Sequence, residues 1–137
     1  MYLGNVIKDI DRKYRKVFFS GLAFNSSNVK KGYIFFAIKG NKYDGNKYVH
    51  QAIKKGASVI ISEEKFKSFN KDVTYLNNKN PRKLLSQISF KLLKRHPKRI
   101  TAVTGTNGKS SVADFYYQIL SLNKKKAGSI GPVGIQY

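Results

Sequence analysis

The 137-residue sequence has no cysteine, no tryptophan and only three prolines. Without cysteine it can form neither a disulfide nor a thiolate metal site, which is consistent with a reducing cytosol. No apolar run approaches the roughly 20 residues that a membrane-spanning helix needs, and the N-terminus lacks the continuous apolar segment of a signal peptide. We therefore expect a soluble, cytoplasmic protein that does not act at a membrane.

Acidic residues are also scarce, with 7 Asp and Glu against 27 Lys and Arg and a formal net charge of +20. No two of the acids are spaced for acid–base catalysis. The lysines are spread along the whole chain, which favours a solvated, compositionally biased surface. We expect no nucleic-acid partner. A basic nucleic-acid binder is the alternative, and its binding would fall steeply with salt concentration.

Strands and helices alternate in the first hundred residues, which predicts an α/β sheet. Short runs rich in β-branched and aromatic residues predict strands at 17–24, 33–38, 57–62 and 73–76. Apolar residues at helical spacing predict helices at 46–56 and 81–95. The second helix begins with Asn80 as its N-cap and Pro81 in its first turn.

Residues 96–99 (HPKR) interrupt this pattern with a proline and three basic or imidazole side chains. We place a domain boundary here, which gives predicted domains at 1–97 and 98–137. Beyond the boundary, the apolar run at 100–104 predicts a strand, and 109–126 predicts a helix with an apolar stripe on one face.

The loop between that strand and helix has the sequence Gly105-Thr106-Asn107-Gly108-Lys109-Ser110-Ser111. Its glycines let backbone N–H groups approach phosphate oxygens, and the start of the helix presents its positive end to an anion. Lys109 supplies a cation for the outer phosphates, and Ser110 supplies a hydroxyl for a magnesium ion. The loop is a shorter form of the usual phosphate-binding pattern, because Val103 stands where that pattern has glycine.

The segment Thr-Gly-Thr-Asn-Gly-Lys-Ser-Ser after a strand resembles the ATP-binding loop of the Mur ligases, which add amino acids to the UDP-muramoyl precursor of peptidoglycan. Residues 21–64 are similar to the N-terminal substrate domain of that family, including the Asp44-Gly45 pair. The resemblance covers most of 20–137 and is strongest to the MurE type. It implies a small N-terminal α/β substrate domain, followed by the first strand, phosphate-binding loop and helix of a parallel-sheet ATPase domain.

The resemblance also implies a set of residues that bind the nucleotide end of the substrate, namely Phe24, Ser26, Asn41, Lys42 and Tyr43. A hydroxyl at Ser26 and a cation at Lys42 are suitable partners for a diphosphate. The family has an Asp-Ser-Arg triplet where this chain has Asn25-Ser26-Ser27. The carboxylate and the guanidinium of that triplet are therefore missing, which would weaken substrate binding.

For the loop, the resemblance implies that residues 105–111 bind ATP, with Lys109 catalytic and Ser110 contacting Mg²⁺. The implied reaction adds the third amino acid, meso-diaminopimelate or lysine, to UDP-N-acetylmuramoyl-L-alanyl-D-glutamate. ATP phosphorylates the D-glutamate carboxylate to an acyl phosphate. The amine of the diamino acid then attacks this acyl phosphate and releases phosphate, with catalysis mainly by positioning and charge neutralisation.

Enzymes of this family are several-fold longer, so we expect the 137 residues by themselves to be incomplete and inactive. Two alternatives stay open at this point. One is a non-catalytic module that binds a nucleotide or a UDP-sugar, and the other is a Mur ligase of the MurF or MurC type.

Overall fold

A computed structural model describes residues 1–66, 70–132 and 134–137, which divide into a first unit, residues 1–96, and a second unit, residues 97–137. The elements of the first unit are α1 (Leu3–Val6), β1 (Gly21–Ala23), β2 (Tyr33–Ala37), α2 (Val49–Lys54), β3 (Val59–Ser62), β4 (Thr74–Asn77) and α3 (Pro81–Leu92). Those of the second unit are α4 (Lys109–Leu122), β5 (Ser129–Gly131) and β6 (Gly134–Gln136).

The four strands of the first unit form one parallel sheet in the order β1-β2-β3-β4. Parallel neighbours need crossover connections, and here these are α2 between β2 and β3 and shorter segments elsewhere. The predicted α/β architecture is therefore confirmed.

Side chains from β2 and β3 alternate between the two faces of this sheet. Ile34 and Phe36 face α1 and α3, where they pack with Leu3 and Ile88. Phe35 of β2 and Ile60 of β3 lie on the opposite face and pack against α2. All four residues of β3 are buried, as expected of a central parallel strand covered on both faces. The apolar run predicted as a buried strand at 57–62 thus has its predicted environment.

Side-chain hydrogen bonds cap the start of α3 and of the turn that precedes α2. Asn80 Oδ1 accepts a hydrogen bond of 2.8 Å from the Lys83 N–H, and Pro81 occupies the first turn of α3, as predicted. The predicted helix at 46–56 instead begins as a 3₁₀ turn, Gly45–Tyr48, because the Asp44 side chain accepts a 2.9 Å hydrogen bond from the Asn46 N–H.

The prediction at 17–24 is too long, because only Gly21–Ala23 pairs with β2. Strand β1 lies at the edge of the sheet and has a single strand neighbour. Before it, Phe18 makes an isolated antiparallel bridge to Tyr2.

In the second unit, α4 forms as predicted but ends at Leu122, and β5 pairs with β6 as an antiparallel hairpin. The strand predicted at 100–104 is not formed. A strand requires a hydrogen-bonded neighbour, and within the described part of 97–137 the paired strands are β5 and β6, which pair with each other. The apolar stripe of α4 is exposed at Val112, Phe115, Ile119 and Leu122.

Among the described residues, none of the helices combines the length and apolar character needed to cross a membrane.

Candidate functional site

A cleft of about 540 Å³ lies in the first unit. Parallel strands bring their carboxyl ends to one edge of a sheet, where α/β proteins commonly bind ligands. Phe24 directly follows β1, Ile38 follows β2, and Arg82 lies in the first turn of the helix after β4. These three residues line the cleft, together with Asn25, Ser26, Ser27, Phe35, Gly40, Tyr43, Gly45, Tyr48 and Gln51.

A short loop after β1 forms one wall of the cleft. Hydrogen bonds connect this loop to α2 and to Lys55, the residue that follows α2. The Ser26 hydroxyl donates to Gln51 Oε1 at 2.7 Å, and the Lys55 ammonium donates to the Ser27 carbonyl at 2.9 Å. Asn25 Oδ1 accepts from the Ser27 N–H at 2.9 Å. Ser26 is only 6% exposed, so its hydroxyl hydrogen is engaged within the protein while the oxygen remains at the cleft wall.

The wall after β2 is a tight turn that separates the three residues predicted there. The Gly40 N–H donates to the Tyr43 carbonyl at 2.8 Å, and Lys39 forms an antiparallel bridge with Asp44. This closure places Asn41 and Lys42 at the exposed tip of the turn, outside the cleft lining, and leaves Tyr43 at its base, in the lining. The structure therefore brings Phe24, Ser26 and Tyr43 together but not Asn41 and Lys42.

Aromatic rings and one cation dominate the cleft surface. Phe24 and Tyr43 are 68% and 74% exposed, and Tyr48 is partly exposed. Such rings offer flat apolar faces to a heterocycle. Arg82 is the one charged residue in the cleft lining among the residues that the structure describes. Sequence reasoning missed Arg82, Tyr48 and Gln51. A usable signal was present for Arg82, because it follows a predicted strand and the N-cap of a predicted helix.

A second cleft of about 510 Å³ in the first unit is lined in part by Ile7, Asp11, Tyr14 and Leu76. None of the predicted site residues contributes to it. It is therefore separate from the cleft that contains Phe24, Ser26 and Tyr43.

The glycine loop of the second unit has the backbone that a phosphate site needs. Gly105 has φ of +152° and Gly108 has φ of +73°, both in the range that favours glycine. Gly108 is the N-cap of α4, and no side chain caps this helix. The first N–H groups of a helix have no partner within it, so those of Lys109, Ser110 and Ser111 are oriented for an external acceptor.

The Lys109 ammonium folds back onto its own loop, where it donates to the carbonyls of Gly105 at 2.5 Å and Thr106 at 3.0 Å. Lys109 and Ser110 are both exposed. The Ser110 hydroxyl lies in the first turn of α4, and a hydroxyl is a hard oxygen ligand of the kind that Mg²⁺ takes. Among the described residues there is no cluster of three or more His, Cys, Asp or Glu side chains that would hold a metal.

Comparison with known proteins decides the family. The sequence pattern described as "Mur ligase family, catalytic domain" matches residues 19–90, which is more than half of the chain. The chain belongs to the Mur ligase family. The matched segment contains every residue of the cleft lining and stops short of the glycine loop.

Individual Mur ligases with similar sequences support the same assignment. The UDP-N-acetylmuramoyl-L-alanyl-D-glutamate--2,6-diaminopimelate ligase of Rickettsia prowazekii is 40% identical over 116 residues, which cover 85% of this chain and 24% of that protein. The ligase of the same name from Clostridioides difficile is 35% identical over 142 residues, covering 98% of this chain and 29% of that protein. The chain thus spans about a quarter of the length of these relatives.

Solved Mur ligase structures share the fold. A UDP-N-acetylmuramoyl-L-alanyl-D-glutamate--2,6-diaminopimelate ligase matches 94% of this chain with a TM-score of 0.73 at 24% identity, over 27% of that structure. The MurF ligase of Thermotoga maritima, in complex with ADP, matches 77% of this chain with a TM-score of 0.57 at 24% identity, over 24% of that structure.

Proposed function

We propose that these 137 residues form the N-terminal part of a Mur ligase that joins 2,6-diaminopimelate to UDP-N-acetylmuramoyl-L-alanyl-D-glutamate at the expense of ATP. Relatives named for this reaction, at 35% and 40% identity, support the choice of diaminopimelate over lysine and of this type over MurF or MurC. The proposed reaction is supported by the names of the relatives, and the proposed role of each unit is supported by the geometry of its site.

The first unit binds the uridine diphosphate end of the substrate in the 540 Å³ cleft. The observation that carries this step is the convergence of Phe24, Ser26 and Tyr43, which come from two separate loops, on one cleft at the carboxyl edge of the sheet. The exposed rings of Phe24 and Tyr43 provide stacking faces for the uracil base. The buried Ser26–Gln51 hydrogen bond keeps the wall after β1 in place.

The second unit binds the phosphates of ATP at the glycine loop. The N–H groups at the start of α4 and the positive end of the helix dipole attract the anion. Lys109 exchanges its hydrogen bonds to the loop carbonyls for bonds to phosphate oxygens. The fold-sharing MurF structure in complex with ADP supports a nucleotide ligand.

The chemistry of this loop fits magnesium, because the Ser110 hydroxyl would supply an oxygen ligand of the kind that Mg²⁺ prefers. When bound, Mg²⁺ neutralises charge on the transferring phosphoryl group. The chain's own contribution to the reaction is orientation and charge compensation. The cleft holds the nucleotide end of one substrate. Lys109 compensates the charge that develops as the D-glutamate carboxylate attacks the γ-phosphorus, which forms the acyl phosphate and releases ADP.

Calorimetric titration of the 137-residue protein tests the two binding steps separately. We expect saturable binding of UDP-N-acetylmuramoyl-L-alanyl-D-glutamate and, independently, of ATP with Mg²⁺. A UDP-sugar module would bind the first ligand and not the second. A nucleic-acid binder would bind single-stranded DNA with a steep salt dependence and ignore UDP. Absence of binding to the UDP substrate would refute the proposal for the cleft.

A chimera tests the reaction. The 137 residues replace the matching N-terminal segment of the Clostridioides difficile relative, to which 98% of the chain aligns. We expect amide product from UDP-N-acetylmuramoyl-L-alanyl-D-glutamate, ATP and diaminopimelate, and loss of that product in the chimera with Lys109→Ala. The 137 residues by themselves are expected to form no amide. A soluble, folded chimera that binds both substrates and forms no product would refute the assignment.

A further inference from the structure

The cleft in the first unit has an unexpected source of positive charge. Residues 25–27 stand where the family has an Asp-Ser-Arg triplet, and they contain no arginine. The predicted cation, Lys42, lies at the tip of the turn after β2, outside the cleft lining. A diphosphate needs a cation or a set of N–H donors to replace its hydration. In a chain with 27 Lys and Arg, only Arg82 brings a charged side chain to the described lining of the cleft.

We propose that Arg82 is the residue that binds the diphosphate of the UDP substrate, in place of Lys42. This inference rests on the proposed function of the cleft and adds to it a specific contact. A guanidinium presents a planar fork of N–H donors that matches two oxygens of a phosphate group at once. A flexible ammonium at the tip of a turn provides a point charge without that geometry.

The free state of Arg82 fits this role. Its side chain is exposed and makes no hydrogen bond or ion pair with any residue in the described ranges 1–66, 70–132 and 134–137. The guanidinium therefore has no internal carboxylate that a ligand would have to displace. With only 7 acidic residues in the chain, competition from neighbouring carboxylates is low.

The backbone beneath Arg82 is held by burial and by hydrogen bonds, so the side chain extends from a fixed Cα atom. Pro81, the preceding residue, is almost completely buried. The Asn80 side chain accepts from the Lys83 N–H at 2.8 Å, and the Asn78 side chain accepts from the Asn80 N–H at 2.9 Å. Arg82 also lies in the first turn of the 12-residue helix α3, where the helix dipole adds to the attraction for an anion.

The cleft also supplies the other half of a nucleotide site. Exposed aromatic rings at Phe24 and Tyr43 lie in the same lining as Arg82. Aromatic faces for a base together with a guanidinium for phosphate are the chemistry that recognises a nucleoside diphosphate, whereas uridine alone engages only the rings. Comparison of UDP with uridine therefore isolates the contribution of the diphosphate, and the Arg82 variants show how much of that contribution depends on the guanidinium.

The test uses the 137-residue protein and measures the Kd of UDP and of uridine by calorimetry for four variants. Arg82→Ala removes the cation, and Arg82→Lys keeps the charge but loses the fork. Lys83→Ala is the matched control, because it removes one positive charge from the neighbouring exposed residue and keeps the backbone N–H that Asn80 caps. Lys42→Ala tests the residue predicted from sequence.

We expect Arg82→Ala to raise the Kd of UDP by about 10- to 100-fold, as for loss of hydrogen bonds to a charged group, and to leave the Kd of uridine within about twofold. Arg82→Lys should fall between Arg82→Ala and the unmodified protein. Lys83→Ala and Lys42→Ala should change the Kd of UDP by less than about threefold, since exposed charges act weakly through screened solvent.

Several results would overturn the inference. If Arg82→Ala and Lys83→Ala raise the Kd of UDP equally, the net positive charge of the chain affects UDP binding, rather than a specific contact of Arg82. Equal loss of UDP and uridine would show that Arg82 shapes the cleft rather than binding the diphosphate. A larger effect of Lys42→Ala would return the role to Lys42. If Arg82→Ala is not folded by circular dichroism, Arg82→Gln takes its place in the same comparison.

Failure of the proposed function has a different signature. If the unmodified protein binds neither UDP nor the UDP-muramoyl-dipeptide, the cleft is not the substrate site, and the role of Arg82 falls with it. If the unmodified protein binds both ligands and Arg82→Ala binds them equally well, only the inference about Arg82 is wrong.

Discussion

Replacing Gly45 with alanine should destabilise the first unit, although the same substitution often stabilises proteins. An alanine Cβ at this position would lie 2.6 Å from the Ile38 nitrogen, 2.8 Å from its oxygen and 3.0 Å from the Ala37 carbonyl carbon. All three atoms belong to the backbone at the end of β2, so no side-chain rotation can relieve the contact. The Gly45 N–H also donates to the Ile38 carbonyl at 3.0 Å, which holds the two segments together.

Two effects of opposite sign determine the magnitude. Gly45 is not among the glycines with positive φ, so alanine fits the backbone angles and should gain about 0.4–1 kcal/mol from a less flexible unfolded chain. Overpacking against a fixed neighbour costs about 1–3 kcal/mol. Because the clash involves backbone atoms of a strand buried on both faces, we expect overpacking to dominate, with a net loss of roughly 1–2 kcal/mol.

Native-state hydrogen exchange of the β2 amides measures this loss within the first unit. A loss of 1–2 kcal/mol corresponds to exchange about 5–30 times faster. Asn41→Ala is the control, because Asn41 lies exposed on the same turn and its replacement should change stability by less than about 0.5 kcal/mol. Unchanged or slower exchange in Gly45→Ala would refute the reasoning that close backbone approach requires glycine here.

Two further predictions concern the phosphate loop and the core. Lys109→Ala should weaken ATP binding by at least about 10-fold in calorimetry, and unchanged ATP affinity would count against the loop as the nucleotide site. The same variant should leave the free energy of unfolding within about 0.5 kcal/mol, because Lys109 is exposed and its described hydrogen bonds are to its own loop. Ile88→Ala should lower the free energy of unfolding, measured in urea, by about 2–5 kcal/mol, and Ile88→Val should lower it by about 0.5–1.5 kcal/mol. The reason is that Ile88 of α3 is completely buried against the sheet. Equal losses for the two variants would contradict a cavity effect.

Much of the fold was predictable because its signals are local. The apolar run of β3 shows its burial on both faces, and Asn80 with Pro81 marks the start of α3. The glycine loop is likewise recognisable from Gly105 and Gly108, whose positive φ angles few other residues adopt. The strand predicted at 100–104 failed for a reason that is not local, since an apolar run becomes a strand only when another strand lies beside it.

The candidate site was predictable in part. Phe24, Ser26 and Tyr43 were predicted through resemblance to the Mur ligases, and the structure brings them to one cleft. Their role in binding stays a prediction. Asn41 and Lys42 were assigned from the same short stretch as Tyr43. The Gly40–Tyr43 hydrogen bond that places them at the tip of a turn depends on the exact path of the chain, which residue type does not reveal.

The amino-acid sequence by itself determined most of the helices and strands and indicated a phosphate-binding loop, because helix caps, buried apolar runs and a glycine-rich loop act over a few residues. Only the tertiary structure decided which side chains meet. Parallel pairing of four strands brings the loops after β1 and β2 and the start of α3 to the same edge of the sheet. Arg82 thereby joins residues almost 60 positions earlier in the chain, because the carboxyl ends of parallel strands converge in space however far apart they lie in sequence.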